Sequence, residues 1–394
     1  MSGPLVPFAA GFAASLDESG YTPLSAANQL RLFAHVSRWL KDHGIGPGDL
    51  TAERVDAFLQ ERRDAGYTCW RTPFGMKPIL GFLRGCGVVP PAPPPPLTTP
   101  TDKLMGDYRY YLVCERGLTE GTARNYEEAA RFFLDDRSLP EGLGLDRIRA
   151  EDVMEFVSRE CPARSVGSAK LLVTGLRSLL RFLHLQGLTP NGLASAVPAV
   201  AGWRGSPLPK GIDPAQARKL VDSPDRRTAI GRRDHAVLCL LARLGLRVGE
   251  VVALELGDID WRRGELTIRG KGDRHERLPL PSDVGEAIAG YLQRGRPRVE
   301  HRQVFLRAQA PLRGLGVGGV QWVVTRASAG SGLPPIGPHQ LRHTLATELL
   351  RRGAPLSEVG QLLRHRSAST TVIYAKVDRS ALRSLVQPWP GVTR

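Results

Sequence analysis

The sequence predicts a mainly α-helical chain with a small β-sheet: two tandem helical bundles followed by an α+β domain. Three observations carry this reading. Apolar residues recur at three- and four-residue spacing through the first two parts, as helices with one buried face require. Two stretches rich in Pro and Gly cut the chain into three, and two short strand-like segments interrupt the helical pattern of the last part.

The first cut is PPAPPPPLTTP, Pro90 to Pro100, which cannot sustain a helix or a central strand and reads as an extended spacer. The second is looser and runs from about Val197 to Ile212. The expected division is a helical domain at 1–90, a linker at 91–100, a second helical domain at 101–196, a linker at 197–212, and a last domain at 213–394. The proline spacer would let the first domain move independently.

The two helical domains read as copies of one unit. Leu50, Ala52, Glu53, Val55, Phe58 and Leu59 align with Ile148, Ala150, Glu151, Val153, Phe156 and Val157. Downstream, ILGFLRGCGVVP (Ile79 to Pro90) lies over LLRFLHLQGLTP (Leu179 to Pro190), so that Gly87 meets Gly187 and Pro90 meets Pro190. A Gly and then a Pro stop the last helix in both copies, and matching stops are harder to obtain by chance than matching amphipathic faces.

In the last domain a helix is expected around Ala236 to Leu244. Glu265 to Arg269 and Glu276 to Leu280 read as strands joined by the polar turn Gly270 to His275. Helical signals then dominate. Near the end, Leu382, Leu385, Val386 and Trp389 form an apolar stripe that could dock on a neighbouring copy or fold back on its own domain.

Length and composition fit this outline. A chain of 394 residues exceeds one ordinary core, and 42% hydrophobic with 24% charged residues is the composition of folded globular protein. Fifty-four basic residues against 39 acidic ones leave a formal charge of +15 and a pI near 10.1. Such an excess points to a polyanionic partner, nucleic acid first, with an arginine-rich compositional bias as the alternative. The five cysteines are scattered, with no C-x-x-C pair, which fits a reducing compartment and argues against zinc or redox chemistry. The opening residues lack a basic stretch ahead of their apolar run, and no apolar segment is long enough to span a bilayer, so a cytoplasmic protein is expected.

The last domain carries a constellation suited to phosphodiester chemistry. Breaking and remaking that bond needs a nucleophile, cationic donors for the non-bridging oxygens, and an acid for the leaving 5′ oxygen. Arg247 stands in LGLRVGEV, Lys271 in the turn between the strands, His339 and Arg342 in PHQLRHT, His365 in LLRHRS and Tyr374 in TTVIYAKV. Pro338 suits a first helical turn, which would place His339 and Arg342 on one face.

This order, with its flanking residues and spacing, resembles the catalytic set of the tyrosine recombinases of the phage integrase family. The likeness covers Pro209 to about Ser384, and the second helical domain resembles the family's core-binding, SAM-like bundle. The resemblance implies that Arg247 and Arg342 hold the scissile phosphate, and that His339 and His365 add donors and assist proton movement. Lys271 would act as general acid. Tyr374 would be the nucleophile, forming a 3′-phosphotyrosine that keeps the bond energy, so that neither ATP nor a metal or other cofactor is needed. Glu250, one turn beyond Arg247, would orient that arginine. His343 and His275 are left as structural groups or peripheral DNA contacts. The family's usual Leu-Gly-His reads Leu363-Arg364-His365 here; glycine permits a tight turn, and Arg364 is expected to add a phosphate contact instead.

The implied function is site-specific recombination or integration of DNA, by four copies assembled on two double-stranded recombination sites, with or without a sister recombinase and with no membrane partner. The extra N-terminal unit favours a mobile-element integrase. The alternatives are relaxation of the type IB topoisomerase kind, which uses similar chemistry, and a non-catalytic DNA-binding protein on the same fold; no substituted catalytic position supports the latter.

Overall fold

The computed structural model describes residues 1–91, 99–137, 144–189, 192–200, 211–270 and 274–365, together with Thr371 and Tyr374. Lys271, most of the proline spacer and the apolar stripe near the C-terminus lie outside the described residues. Contact density divides the chain into two compact units: Met1–Pro91 with Pro207–Arg394, and Ala92–Ser206.

The N-terminal bundle has helices α1 (Ala9–Glu18), α2 (Pro23–Asp42), α3 (Ala52–Asp64) and α4 (Pro73–Gly85). Thr22 and Thr51 begin α2 and α3 by accepting from the backbone N–H three residues on, which satisfies donors that a helix start leaves free. The helices close over a core that includes Leu5, Phe12, Phe33, Leu40, Phe58 and Leu83. This bundle meets the C-terminal part where the Leu312 N–H donates to the Ser19 carbonyl at 2.8 Å. That grouping of the N-terminal helices with the last part is not visible in the order of the sequence.

The second unit contains α5 (Pro100–Tyr110), α6 (Glu120–Arg137), α7 (Ala150–Glu160) and α8 (Val166–Leu185), with α5 continuing into a π-helical turn at Tyr111–Glu115. Tyr108, Phe133, Phe156, Leu176 and Phe182 are among the residues that fill its core. The paired helix stops agree in detail. Gly87 and Gly187 both have φ of 69°, the left-handed conformation that glycine adopts without a Cβ penalty. The next residue donates back in the same way in each: Val88 to Leu83 at 2.9 Å, Leu188 to Leu183 at 2.9 Å.

The C-terminal part is arranged around α10 (Ala229–Arg243), following α9 (Pro214–Asp222). Every residue from Ala236 to Leu241 is buried, because α10 is covered on several sides. After α11 (Val248–Ala253) come β1 (Ile259–Asp260), β2 (Glu265–Gly270) and β3 (Arg274–Pro279), an antiparallel sheet in the order β1-β2-β3. Leu266 pairs with Leu278 in register, and both face the core. The two expected strands are present, shifted by a residue or two; β1 is too short to leave an alternating pattern. The remaining helices are α12 (Ser282–Arg294), α13 (Val317–Gly330), α14 (Pro338–Arg351) and α15 (Leu356–Leu362). Among the described residues, no helix is long and apolar enough to cross a membrane.

Candidate active site

Three short segments of the C-terminal part converge: the start of α11, the first half of α14, and the chain leaving α15. Arg247 is the residue just before α11, in extended conformation, with Glu250 at the third helical position. The Glu250 carboxylate accepts the Arg247 backbone N–H at 2.7 Å on Oε2 and the Arg247 guanidinium at 2.7 Å on Oε1. One side chain thus caps the helix and fixes the direction of the arginine, whose guanidinium also donates to the Arg364 carbonyl at 3.1 Å. The Arg247 side chain remains 40% exposed, enough to meet a phosphate.

On α14, Pro338 occupies the first turn as expected, and His339, Arg342 and His343 follow along it. Arg342 is buried and donates to the carbonyls of Gly245 and Leu363. Gly245 is required there twice over. Its φ is +58°, and an added Cβ would come within 2.9 Å of Leu363 and 3.1 Å of Leu345. Burial, then the neighbouring Arg247 and Arg364, push the Arg342 guanidinium down to about 10, still charged at neutral pH.

Arg364 departs from the expected phosphate contact. Its backbone is left-handed, φ 52°, which is the conformation that makes glycine usual at such a turn. Its side chain turns inward, only 4% exposed, and donates to Glu250 Oε2 at 2.8 Å and to the Leu362 carbonyl at 2.9 Å. Pairing with a buried carboxylate wins over solvent, and the group is not presented to a ligand. Burial pushes the Glu250 carboxyl up, but Arg364 and the Arg247 hydrogen bonds more than offset this and hold it below 4.5.

Tyr374 is buried against Ala346, Leu350, Val359 and Leu363. Its hydroxyl lies 2.6 Å from His343 Nδ1, and its ring is nearly parallel to that of His365, with centroids 6.2 Å apart. His343, left by the sequence as a structural group or peripheral DNA contact, is a direct neighbour of the phenol. His365 Nδ1 is engaged with the Thr371 hydroxyl at 2.7 Å, a partner that sequence reasoning missed. Burial, then Arg342, Arg247, Arg364 and His343, push His365 down to about 4, and His339 and His343 are also lowered, burial being the first cause in each. The three imidazoles are neutral near pH 7. Burial raises the Tyr374 phenol above 10, partly offset by Arg342.

The structure thus brings together Arg247, Glu250, His339, Arg342, His343, Arg364, His365 and Tyr374. Three guanidiniums against one carboxylate leave an excess of positive charge beside a phenol, an arrangement that attracts a phosphate and supplies a nucleophile. Among the described residues no group of three or more His, Cys, Asp or Glu side chains is placed to hold a metal ion.

Comparison with known proteins agrees with this chemistry. Residues 210–380 match the model of the phage integrase family. An integrase/recombinase of Sinorhizobium fredii, y4rA, is 41% identical over 405 residues, covering 99% of this chain and 95% of the relative. Tyrosine recombinase XerD of Listeria monocytogenes is 31% identical, covering 72% of this chain and 96% of its own. In fold, the chain is similar to XerH recombinase bound to its difH substrate, with TM-score 0.54 and 17% identity over 98% of this chain and 96% of that one. It is likewise similar to a lambda integrase tetramer bound to a Holliday junction, with TM-score 0.54 and 17% identity over 81% and 88%.

Proposed function

The chain belongs to the phage integrase family, the tyrosine recombinases that cleave and rejoin DNA, and we propose that it does so through a 3′-phosphotyrosyl bond to Tyr374. The observation that supports this assignment is the Tyr374 hydroxyl, held beside His343 Nδ1, with the ring against His365 and the phenol within electrostatic reach of Arg342. Arg247 and Arg342 take the non-bridging oxygens of the scissile phosphate, where planar guanidiniums donate paired, charge-assisted hydrogen bonds. The phenol oxygen attacks phosphorus and the 5′ oxygen leaves with a proton. The phosphotyrosyl ester conserves the bond energy, and a 5′ hydroxyl from another strand reverses the step. Glu250 holds Arg247 in place for this, and Lys271 is assigned the proton for the leaving 5′ oxygen.

The partner is double-stranded DNA, and the assembly proposed is four copies on two recombination sites; the similar lambda integrase is a tetramer on a Holliday junction. A mobile-element role fits the integrase/recombinase that matches over nearly the whole chain. The test is trapping on a nicked duplex, selected from a random-sequence pool by covalent retention on the unaltered protein. Tyr374→Phe is expected to bind this duplex and form no adduct. An undiminished adduct in the variant would remove Tyr374 as the nucleophile.

A further inference from the structure

A phenol must lose its proton as it attacks phosphorus, and burial makes that harder for Tyr374 by holding its acidity below that of an exposed tyrosine. A base placed on the hydroxyl removes the difficulty, since the proton then transfers in the transition state with no free phenolate. Two histidines flank the ring. His365 is stacked alongside it at 6.2 Å between centroids, and its Nδ1 is engaged with Thr371. His343 instead points a ring nitrogen at the hydroxyl, Nδ1 to Oη 2.6 Å, with the rings tilted by 53°. We propose that His343 is a catalytic residue, the base that takes the Tyr374 proton during cleavage and returns it during rejoining.

The proposal rests on Tyr374 being the nucleophile. With its own proton on Nε2, neutral His343 accepts from the phenol at Nδ1. As the bond from the phenol oxygen to phosphorus forms, the O–H bond breaks and an N–H bond forms on Nδ1. The bond from phosphorus to the 5′ oxygen breaks, and that oxygen takes a proton from an ammonium, the role assigned to Lys271. Rejoining runs the same transfers backwards, the imidazolium protonating the departing phenol oxygen.

The groups facing His343 suit a base that begins neutral. Its position on α14 places it near His339 and Arg342, and His365 packs against the same Tyr374 ring. Burial of the site, with the positive charge of Arg342, holds the imidazole neutral at the pH where it must accept. The same charge would discourage a lasting imidazolium, which favours prompt return of the proton on rejoining.

Single-turnover adduct formation on the selected nicked duplex tests this, with duplex binding measured in parallel. His343→Ala is expected to slow adduct formation near neutral pH by about a hundredfold or more, the usual contribution of a positioned base, and to keep its duplex binding. The deficit should narrow as pH rises toward the phenol's own ionisation, because an ionised tyrosine needs no base. His343→Asn places a non-basic oxygen near the Nδ1 position. It should stay as slow as the alanine variant, and it carries the test if His343→Ala does not fold. A rate within about threefold of the unaltered protein, full recovery in His343→Asn, or a deficit constant across pH would each overturn the proposal. Tyr374→Phe separates the two readings. If that variant still forms adduct, the nucleophile assignment has failed; if it forms none while His343→Ala reacts normally, only the role of His343 has.

Discussion

Replacing Glu250 by glutamine probes the charge balance that holds the site together. The Glu250 side chain is 7% exposed and serves two arginines: Arg247 through backbone and guanidinium, and Arg364 through its guanidinium at 2.8 Å. Glutamine preserves the shape but removes the charge, and its amide hydrogens then face a guanidinium donor. Arg364 is left buried without a counter-ion, and its Nε already lacks a hydrogen-bond partner. Breaking a buried pair from one side costs about 3–5 kcal/mol. The opposite cut should behave differently. Arg364→Gly removes the buried cation itself, while both Glu250 oxygens keep their bonds to Arg247. It forfeits a charge-assisted bond of about 1.5–3 kcal/mol but relieves a left-handed backbone that costs a non-glycine residue roughly 1–2 kcal/mol. The net change expected is under about 2 kcal/mol. Urea unfolding with linear extrapolation measures both variants and the double substitution, which should recover much of the loss seen in Glu250→Gln. Equal destabilisation by the two single substitutions, or strictly additive losses in the double, would refute this account of the pair.

Three further outcomes are expected. Lys271→Ala should be severely slowed on ordinary DNA and largely rescued when the bridging 5′ oxygen is replaced by sulfur, since a thiol with a pKa of about 8.5 leaves without a proton donor; equal slowness on both substrates would exclude Lys271 as the acid. Duplex affinity should fall steeply with salt, because arginines that neutralise several phosphates release counter-ions, and a flat response would show that the +15 charge is not used on DNA. Stability should decline as pH falls: an unfolded histidine binds its proton near 6.5, whereas folded His365 resists until about 4, so its contribution is full above 6.5 and is lost on the way down. Urea midpoints at about pH 7 and about pH 5 measure this, and His365→Asn should show a smaller fall; an undiminished fall in that variant would assign the effect to other groups.

Much of the fold was legible because its signals are local. The stops at Gly87 and Gly187 depend on a backbone conformation that one residue type accepts readily, and their matching bond patterns come from the same few residues in each copy. Pro338 marked the start of α14, and the Glu250 cap on Arg247 lies within three positions. Strands β2 and β3 were visible through the turn between them, while two-residue β1 left no pattern. The packing of the N-terminal helices with the C-terminal part was not legible either. It depends on contacts such as Ser19 with Leu312, which no local spacing encodes.

The candidate site divides along the same line. The order of the sequence pointed to Arg247, His339, Arg342, His365 and Tyr374, which the structure brings together, but which way Arg364 and His343 face could not be read from it. Arg364 follows a short helix in a basic chain, and a long cation at such a turn ordinarily reaches into solvent. It turns inward because Glu250, 114 positions earlier, is buried within reach and carries the compensating charge. His343 sits beside Arg342 in sequence, and only the return of the chain 31 positions later brings the Tyr374 hydroxyl to its Nδ1. In both cases the side chain's chemistry permits two roles, and the long-range partner selects between them. The substitution of arginine for glycine at 364 therefore places a second guanidinium on the carboxylate that orients Arg247. A perturbation at 364 should reach the phosphate through Glu250 and Arg247, by changing how firmly that arginine is held, while the charge offered to DNA at the surface stays the same.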